Sequence, residues 1–189
     1  MTNVQELRFR GKVSTRDEAT KFLKSAGDMV LVERGRPRLL VTSCPCGCGE
    51  IFPVNLDSRA GPAWRLYAGR KNGLSLYPSI WRESGCGSHF IIWGNKILLF
   101  GQSDDELSPP FYPDYITPLI QPVEQLLPEK GLKPYVEIAN QLDAIPWDVL
   151  MACRRLVSSR RAWEGNDKQR GSFGRTSNNA GNLGQQWAK

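Results

Sequence analysis

Two short, glycine-bracketed cysteine motifs limit the possible folds of this chain more than any other feature. The first motif is Cys44-Pro45-Cys46-Gly47-Cys48-Gly49, and the second is Cys86-Gly87-Ser88-His89, with 37 residues between Cys48 and Cys86. Five cysteines are an odd number for a disulfide framework, and clustered cysteines in a cytosolic chain favour metal binding. Thiolates prefer zinc, which binds four of them in a tetrahedron. The sequence therefore predicts a structural zinc ion held by Cys44, Cys46, Cys48 and Cys86.

His89 makes the ligand count ambiguous, because five candidate side chains compete for four places. If His89 binds the metal, one cysteine is spare. If the four cysteines saturate the metal, the site is closed and His89 is left over. His89 is the only histidine of the chain, and an imidazole is the side chain whose unperturbed pKa suits a general base near neutral pH. Both alternatives follow from the residues alone.

Two serines are candidate nucleophiles beside such a base. Ser79 stands at the end of a predicted strand in Tyr77-Pro78-Ser79-Ile80, about one hairpin away from His89. Ser88 directly precedes His89, and neighbouring side chains on a strand point to opposite faces. We therefore expect Ser79 to be the partner of His89. The carboxylates close enough in sequence to orient the base are Glu50, Asp57 and Glu83.

These motifs resemble a family of small bacterial proteins described as a domain of unknown function and encoded in bacterial ubiquitination-like (Bub) operons. The resemblance spans about residues 28–100 and rests on an ordered set of segments. In chain order these are Cys44-Pro45-Cys46-Gly47-Cys48-Gly49-Glu50, Val54-Asn55-Leu56, Trp64-Arg65-Leu66, Leu76-Tyr77-Pro78-Ser79-Ile80 and Cys86-Gly87-Ser88-His89-Phe90-Ile91-Ile92-Trp93. The resemblance implies a deubiquitinase-like serine peptidase that matures a bacterial ubiquitin-like protein or removes it from its conjugates.

The resemblance also implies which residues are concerned, but it leaves the nucleophile open. Ser79, Ser88 and His89 all fall on motif positions of the family, and Glu50 closes the first cysteine motif. In the expected mechanism His89 deprotonates Ser79, which attacks the carbonyl after the C-terminal glycine of the ubiquitin-like protein. Backbone N–H groups of the turn 85–87 are the expected oxyanion donors.

The pattern along the chain predicts an α+β protein with two domains. Residues 1–104 are expected to form a small zinc-stabilised antiparallel β-rich domain, with a helix beginning at Ser14 or Thr15 and ending at Gly27. Residues 44–101 are expected to form one antiparallel sheet. A proline-rich linker is predicted over 105–113, a winged helix-turn-helix-like domain over 114–176 and a loose tail over 177–189.

Charge is concentrated at the C-terminal end. The net charge is +6, and residues 150–189 carry eight basic residues against two acidic ones, so the rest of the chain is neutral. A basic winged helix predicts either DNA binding through phosphates or docking to a protein. The alternative to the peptidase is accordingly a non-catalytic zinc-binding adaptor or DNA-binding regulator in which His89 is a zinc ligand.

Two features predict a cytoplasmic protein without a membrane partner. No apolar run approaches the roughly 18 residues needed to cross a bilayer. The N-terminal residues 1–12 contain no apolar segment typical of a secretory signal.

Overall fold

The structure is a computed structural model that describes residues 3–68, 73–100 and 114–176. It divides the chain into two compact units, Met1–Phe111 and Tyr112–Lys189. The predicted tail over 177–189 and the predicted linker over 105–113 lie outside the described residues. Both units combine helices with β-sheet, which confirms the α+β class.

The first unit consists of two sheets and one short helix. Its elements are β1 (Asn3–Glu6), β2 (Arg8–Val13), α1 (Arg16–Thr20), β3 (Asp28–Glu33), β4 (Pro37–Ser43), β5 (Ile51–Asn55), β6 (Arg65–Tyr67), β7 (Ser75–Trp81), β8 (His89–Trp93) and β9 (Lys96–Phe100). The strand order is β2-β3-β4-β5 in one sheet and β1-β9-β8-β7-β6 in the other. The expectation of a single sheet over 44–101 is therefore wrong, because β5 pairs with β4 and belongs to the first sheet.

The apolar faces of the two sheets form a shared core. Met29, Leu40 and Phe52 from the four-stranded sheet pack in one cluster with residues of the five-stranded sheet. Those residues are Leu76, Ile80, Phe90, Ile92 and Ile97. Cys44 is fully buried in the same cluster, and Cys86 packs against it. The cysteine motifs are thus anchored in the core rather than attached to its surface.

Helix α1 begins as predicted but ends early. Thr15 and Glu18 form a capping box, in which the side chain of each residue accepts a hydrogen bond from the backbone N–H of the other. The helix ends at Thr20 rather than at Gly27. The N–H groups of Lys24 and Ser25 instead donate to the buried Asp28 carboxylate, over 2.9 and 2.8 Å. This crossover also makes β2 and β3 parallel, so the unit is not antiparallel throughout.

The second unit contains three helices and a small antiparallel sheet. In chain order it has α2 (Thr117–Leu126), β10 (Lys133–Pro134), α3 (Tyr135–Gln141), α4 (Pro146–Ser158), β11 (Ala162–Glu164) and β12 (Ser172–Arg175). The sheet order is β10-β12-β11, and α4 packs against both α2 and α3. The sequence pattern predicts helices over 119–127, 135–142 and 147–159 and short strands over 161–166 and 172–175, and the structure confirms all five elements. Strand β10 was not predicted.

Helix α4 is unusual in being buried all around its first half. Each residue from 146 to 153 is buried, including the acidic Asp148. The hydroxyl group of Tyr115 lies 3.4 Å from the Asp148 carboxylate.

Among the described residues, no helix is long and apolar enough to cross a membrane.

Candidate metal centre and serine–histidine face

The first cysteine motif is a tight knuckle at the end of β4. The Cys44 N–H donates to the Glu50 carbonyl over 2.8 Å, and the Gly47 N–H donates to the Cys44 carbonyl over 3.2 Å. Gly47 and Gly49 have φ values of 85° and 84°, a conformation that glycine adopts without steric cost. The knuckle therefore turns three cysteine side chains of one short segment toward the same point.

The four cysteines predicted as ligands are brought together. The Sγ atoms of Cys44, Cys46, Cys48 and Cys86 all lie within 4.8 Å of one another. The Cys44 sulfur is 3.3 Å from that of Cys46 and 3.6 Å from that of Cys86. A tetrahedral zinc site with Zn–S bonds of about 2.3 Å has sulfurs about 3.8 Å apart, whereas a disulfide needs about 2.05 Å. The spacing therefore fits a shared metal ion better than disulfide bonding.

Ser88 belongs to this cluster of sulfurs. Its Oγ lies 3.2 Å from the Cys44 sulfur and 3.2 Å from the Cys86 sulfur. Burial raises the pKa of Cys44 to about 12, whereas hydrogen bonds from the Ser88 hydroxyl and backbone lower the pKa of Cys86 to about 6. Ser88 thus supplies a polar partner to the sulfurs at the buried side of the cluster.

His89 lies outside the group of potential metal ligands. Within the described residues, that group contains the four cysteines and not the histidine. His89 begins β8 and is half-buried, with its ring centroid 5.7 Å from that of Trp81 and 5.0 Å from that of Phe100. Two aromatic rings therefore hold the imidazole at the surface of the five-stranded sheet.

Ser79 lies on β7, the strand next to the one that carries His89. Trp81 pairs with His89 and Ile80 with Phe90, after a register shift between Leu76 and Ile80. Ser79 lies at the end of this irregular stretch, two residues before Trp81, where regular alternation would place it diagonally opposite His89. The Trp64 indole N–H donates to the Ser79 carbonyl over 3.2 Å, which holds this part of β7 in position.

Ser88 and His89 point to opposite faces of the sheet by the same alternation. The face of Ser88 is that of Phe90, which is fully buried in the core cluster with Cys44. The sequence-based preference for Ser79 over Ser88 rested on this rule, and the contacts of Ser88 with two sulfurs agree with it. Ser88 therefore lies with the cysteines, whereas Ser79 and His89 lie on the neighbouring strands β7 and β8.

Two of the three carboxylates considered as orienting groups are bound by arginines. Glu50 accepts a hydrogen bond from Arg82 over 3.0 Å, and a Cβ on Gly85 would lie only 2.6 Å from the Glu50 carboxylate. Asp57 is bound by Arg36, Arg38 and Arg59, and Glu83 is exposed. Glu50 therefore links the two cysteine loops, and its carboxylate lies beside the turn 85–87.

Sequence reasoning did not identify the aromatic residues around His89. Phe100 could have been found, because Gly94-Asn95 is typical of a tight hairpin turn, and such a turn pairs Phe100 with His89, as the structure does. Trp81 gave no comparable signal. Its pairing with His89 depends on the irregular register of β7, which the sequence pattern did not predict.

Comparison with protein families gives one match. Residues 15–100, somewhat less than half of the chain, match the model of the family described as bacterial ubiquitination-like system serine protease (BubE). The resemblance to the Bub family seen in the sequence is thereby confirmed, and the matched residues carry both cysteine motifs, Ser79 and His89. Comparisons with curated proteins and with solved structures give no match.

Proposed function

We propose that this relative of the BubE serine proteases is a serine peptidase that processes a bacterial ubiquitin-like protein or releases it from its conjugates. The observation that carries the proposal is that, within the matched residues, His89 lies outside the group of four cysteines. Ser88 contacts that group, and Ser79 lies on the strand next to the one that carries His89. The family description supports the reaction class.

Ser79 is the proposed nucleophile and His89 the proposed general base. We place Ser79 and His89 on the same face of neighbouring strands, an arrangement that suits proton transfer between their side chains. The Ser88 hydroxyl lies against two sulfurs, and we assign it to the cysteine group. The Glu50 carboxylate contacts Arg82, and we assign it to the metal loops rather than to the imidazole.

The proposed reaction is acyl transfer. His89 accepts the Ser79 hydroxyl proton as the Ser79 oxygen bonds to the carbonyl carbon of the scissile bond. Backbone N–H groups of the turn 85–87 are the candidate donors to the resulting oxyanion. Collapse breaks the C–N bond, and the imidazolium gives its proton to the leaving amine. Water, deprotonated by His89, then hydrolyses the Ser79 ester and restores both side chains.

The proposed metal is zinc, held by the four cysteines in a structural role. Four sulfurs within 4.8 Å of one another fit the tetrahedral thiolate set that zinc prefers. Such a site has no open position for substrate or water. When bound, the ion supplies cross-linking energy between the loops of Cys44–Cys48 and Cys86, and every chemical step falls to the serine and the histidine.

The competing function is a zinc-binding adaptor in which His89 replaces a cysteine ligand. Its distinguishing requirement is an imidazole nitrogen in the ligand group. His89 is not part of the group that could hold the ion, and its ring lies against Trp81 and Phe100. These contacts favour the peptidase over the adaptor.

We further propose that residues 114–176 form a winged-helix domain that docks to protein rather than DNA. The element order helix, strand, helix, helix, strand, strand with sheet order β10-β12-β11 supports the assignment. Recognition helices use their N-terminal residues to read bases, but in α4 residues 146–153 are buried. The proposed domains remain 1–104 and 114–176, joined by a linker over 105–113, in a protein of the reducing cytoplasm, where thiolate sites persist.

The experiment is cleavage of a ubiquitin-like protein carrying a C-terminal extension, taken from the same operon. We expect the wild-type chain to remove the extension. Ser79→Ala and His89→Gln should each lower the rate by about a thousandfold or more, with zinc content unchanged. Ser88→Ala should retain most of the activity once loaded with zinc. Full activity of Ser79→Ala would exclude Ser79 as the nucleophile.

A further inference from the structure

A pocket of the first unit lies on the four-stranded sheet, away from the cysteines and from Ser79 and His89. It has a volume of about 320 Å³, the size of a site for one small group. It lies near the start of α1, the turn between β3 and β4, and the end of β5. Its walls are formed by Thr15, Arg16, Val32, Arg34, Arg38, Leu39, Asn55, Asp57 and Ala60.

The pocket is strongly basic. Three arginines line it, and Asp57 is the one acidic residue among the described lining residues. Two nearby carboxylates are engaged elsewhere: Glu18 accepts the N–H groups of Ser14 and Thr15, and Glu33 pairs with Lys12 at 2.9 Å. Among the described lining residues, three arginines therefore face a single carboxylate.

Asp57 organises the arginines rather than neutralising them. Its carboxylate is 9% exposed and is approached by Arg36 and Arg38 at 3.0 Å and by Arg59 at 3.1 Å. Three guanidinium groups against one carboxylate leave two positive charges. Together the three guanidinium groups carry about fifteen N–H donors, whereas the carboxylate offers about four acceptor positions. Of these three arginines, Arg38 lines the pocket, and its side chain is 41% exposed. The other two lining arginines, Arg16 and Arg34, are also exposed, so donors are available to a ligand.

We propose that this arginine pocket binds the carboxylate of an acidic peptide segment from a protein partner. Guanidinium groups recognise carboxylates through paired, charge-assisted hydrogen bonds. Val32, Leu39 and Ala60 give the same pocket apolar walls, which match the aliphatic part of a glutamate side chain. The buried negative charge of Asp57 disfavours a phosphate dianion more than it disfavours a single carboxylate. The proposal does not depend on the peptidase activity.

The test is fluorescence anisotropy of a short labelled polyglutamate peptide with the full chain. We expect binding that weakens as salt is added, and about tenfold weaker binding by Arg16→Ala or Arg34→Ala. Both arginines lie outside the Asp57 ion-pair group, so these variants should fold. Arg155→Ala, which removes an exposed arginine from the second unit, is the matched control and should bind like wild type.

Two further measurements distinguish a carboxylate ligand from other ligands. The same peptide with glutamine in place of glutamate should not bind, and free glutamate should displace the labelled peptide better than inorganic phosphate does. Equal binding of the glutamine peptide, equal loss of affinity in Arg155→Ala, or better displacement by phosphate would each overturn the proposal. Unchanged binding by both pocket variants would also overturn it.

Discussion

At the scale of single residues, Ser88 and His89 are neighbours in the chain but serve different faces of the sheet. Ser88 lies 3.2 Å from two cysteine sulfurs, while His89 lies against the rings of Trp81 and Phe100. A hydroxyl group that donates to a thiolate stabilises its negative charge and so supports metal binding. In the proposed mechanism, Ser88 therefore has a structural role and His89 a chemical one.

We predict that Ser88→Ala weakens zinc binding by about tenfold because the sulfurs lose their buried polar partner. Competition with a chromophoric chelator measures this affinity. Ser84→Ala is the matched control, since Ser84 is an exposed serine of the same loop, and it should bind zinc like wild type. Loss of peptidase activity in a fully zinc-loaded Ser88→Ala protein would instead make Ser88 part of the catalytic machinery.

The metal group could be predicted from sequence because cysteine spacing and flanking glycines are local signals. Cys44, Cys46, Cys48 and Cys86 do lie together. The nucleophile stays a prediction. Strand alternation separates Ser88 from His89, but the place of Ser79 depends on the register shift in β7, which the sequence pattern did not predict.

At the scale of elements, Asp28 connects the end of α1 to two strands. It is fully buried at the start of β3, where Arg8 and Arg10 of β2 pair with it at 3.2 and 2.8 Å. Its other oxygen accepts the N–H groups of Lys24 and Ser25. Burial alone would raise the pKa of Asp28, but the hydrogen bonds from Ser25, Arg10 and Lys24 outweigh it and lower the pKa. The ionised carboxylate is thus part of the fold.

We predict that Asp28→Asn lowers the free energy of unfolding by about 2 kcal/mol, because an amide cannot replace the charge that Arg10 and the two N–H groups bind. Urea denaturation measures the change. Asp17→Asn, which alters an exposed acid in the first turn of α1, is the control and should cost less than about 1 kcal/mol.

The stabilisation by Asp28 should depend on pH in one direction. A carboxyl group with a lowered folded-state pKa stabilises the protein above its unfolded pKa of about 3.9, and the effect is lost as pH falls through the folded value. The difference between wild type and Asp28→Asn should therefore be constant above about pH 5 and shrink below about pH 4. A difference that grows on acidification would contradict this account.

Elements with a clear periodicity were predicted well, and elements defined by remote partners were not. The pattern predicted a helix over 147–159, and α4 spans Pro146–Ser158. Strand β1 was missed because Asn-Val-Gln-Glu has no apolar alternation and pairs with the distant β9. The early end of α1 was missed for a related reason, since its competitor is the Asp28 side chain rather than a helix-breaking residue.

At the scale of the whole molecule, the metal group and the core of the first unit are one structure. Cys44 and Cys86 pack against residues from both sheets, so a bound ion ties the knuckle after β4 to the loop before β8. All four cysteines of the group belong to the first unit, and Cys153 is a buried residue of α4 in the second. Metal loss should therefore affect the two units unequally.

We predict that chelation increases amide hydrogen exchange around residues 44–50 and 84–88 by about a hundredfold or more, because metal binding and local folding are coupled. Exchange within α4 should stay unchanged. Cys48→Ser, which replaces an exposed cysteine of the group, should reproduce the effect without chelator, whereas Cys153→Ala should not. Equal acceleration in both units, or zinc affinity unaltered by Cys48→Ser, would contradict the prediction.

The sequence pattern predicts two parts, and the structure has two compact units, but function could not be predicted from periodicity or charge. Net charge pointed to the C-terminal end and to DNA as one possible partner, whereas the burial of residues 146–153 in α4 argues against groove recognition. The functional proposal came from the motif resemblance and from strand alternation around His89.

The most direct test of the central claim is covalent labelling with a fluorophosphonate probe, followed by mass spectrometric mapping of the modified serine. The account predicts modification of Ser79 in the zinc-loaded protein and its loss in His89→Gln, because the imidazole activates the hydroxyl. Modification of Ser88 instead, or undiminished modification of Ser79 in His89→Gln, would contradict the assignment of the two faces.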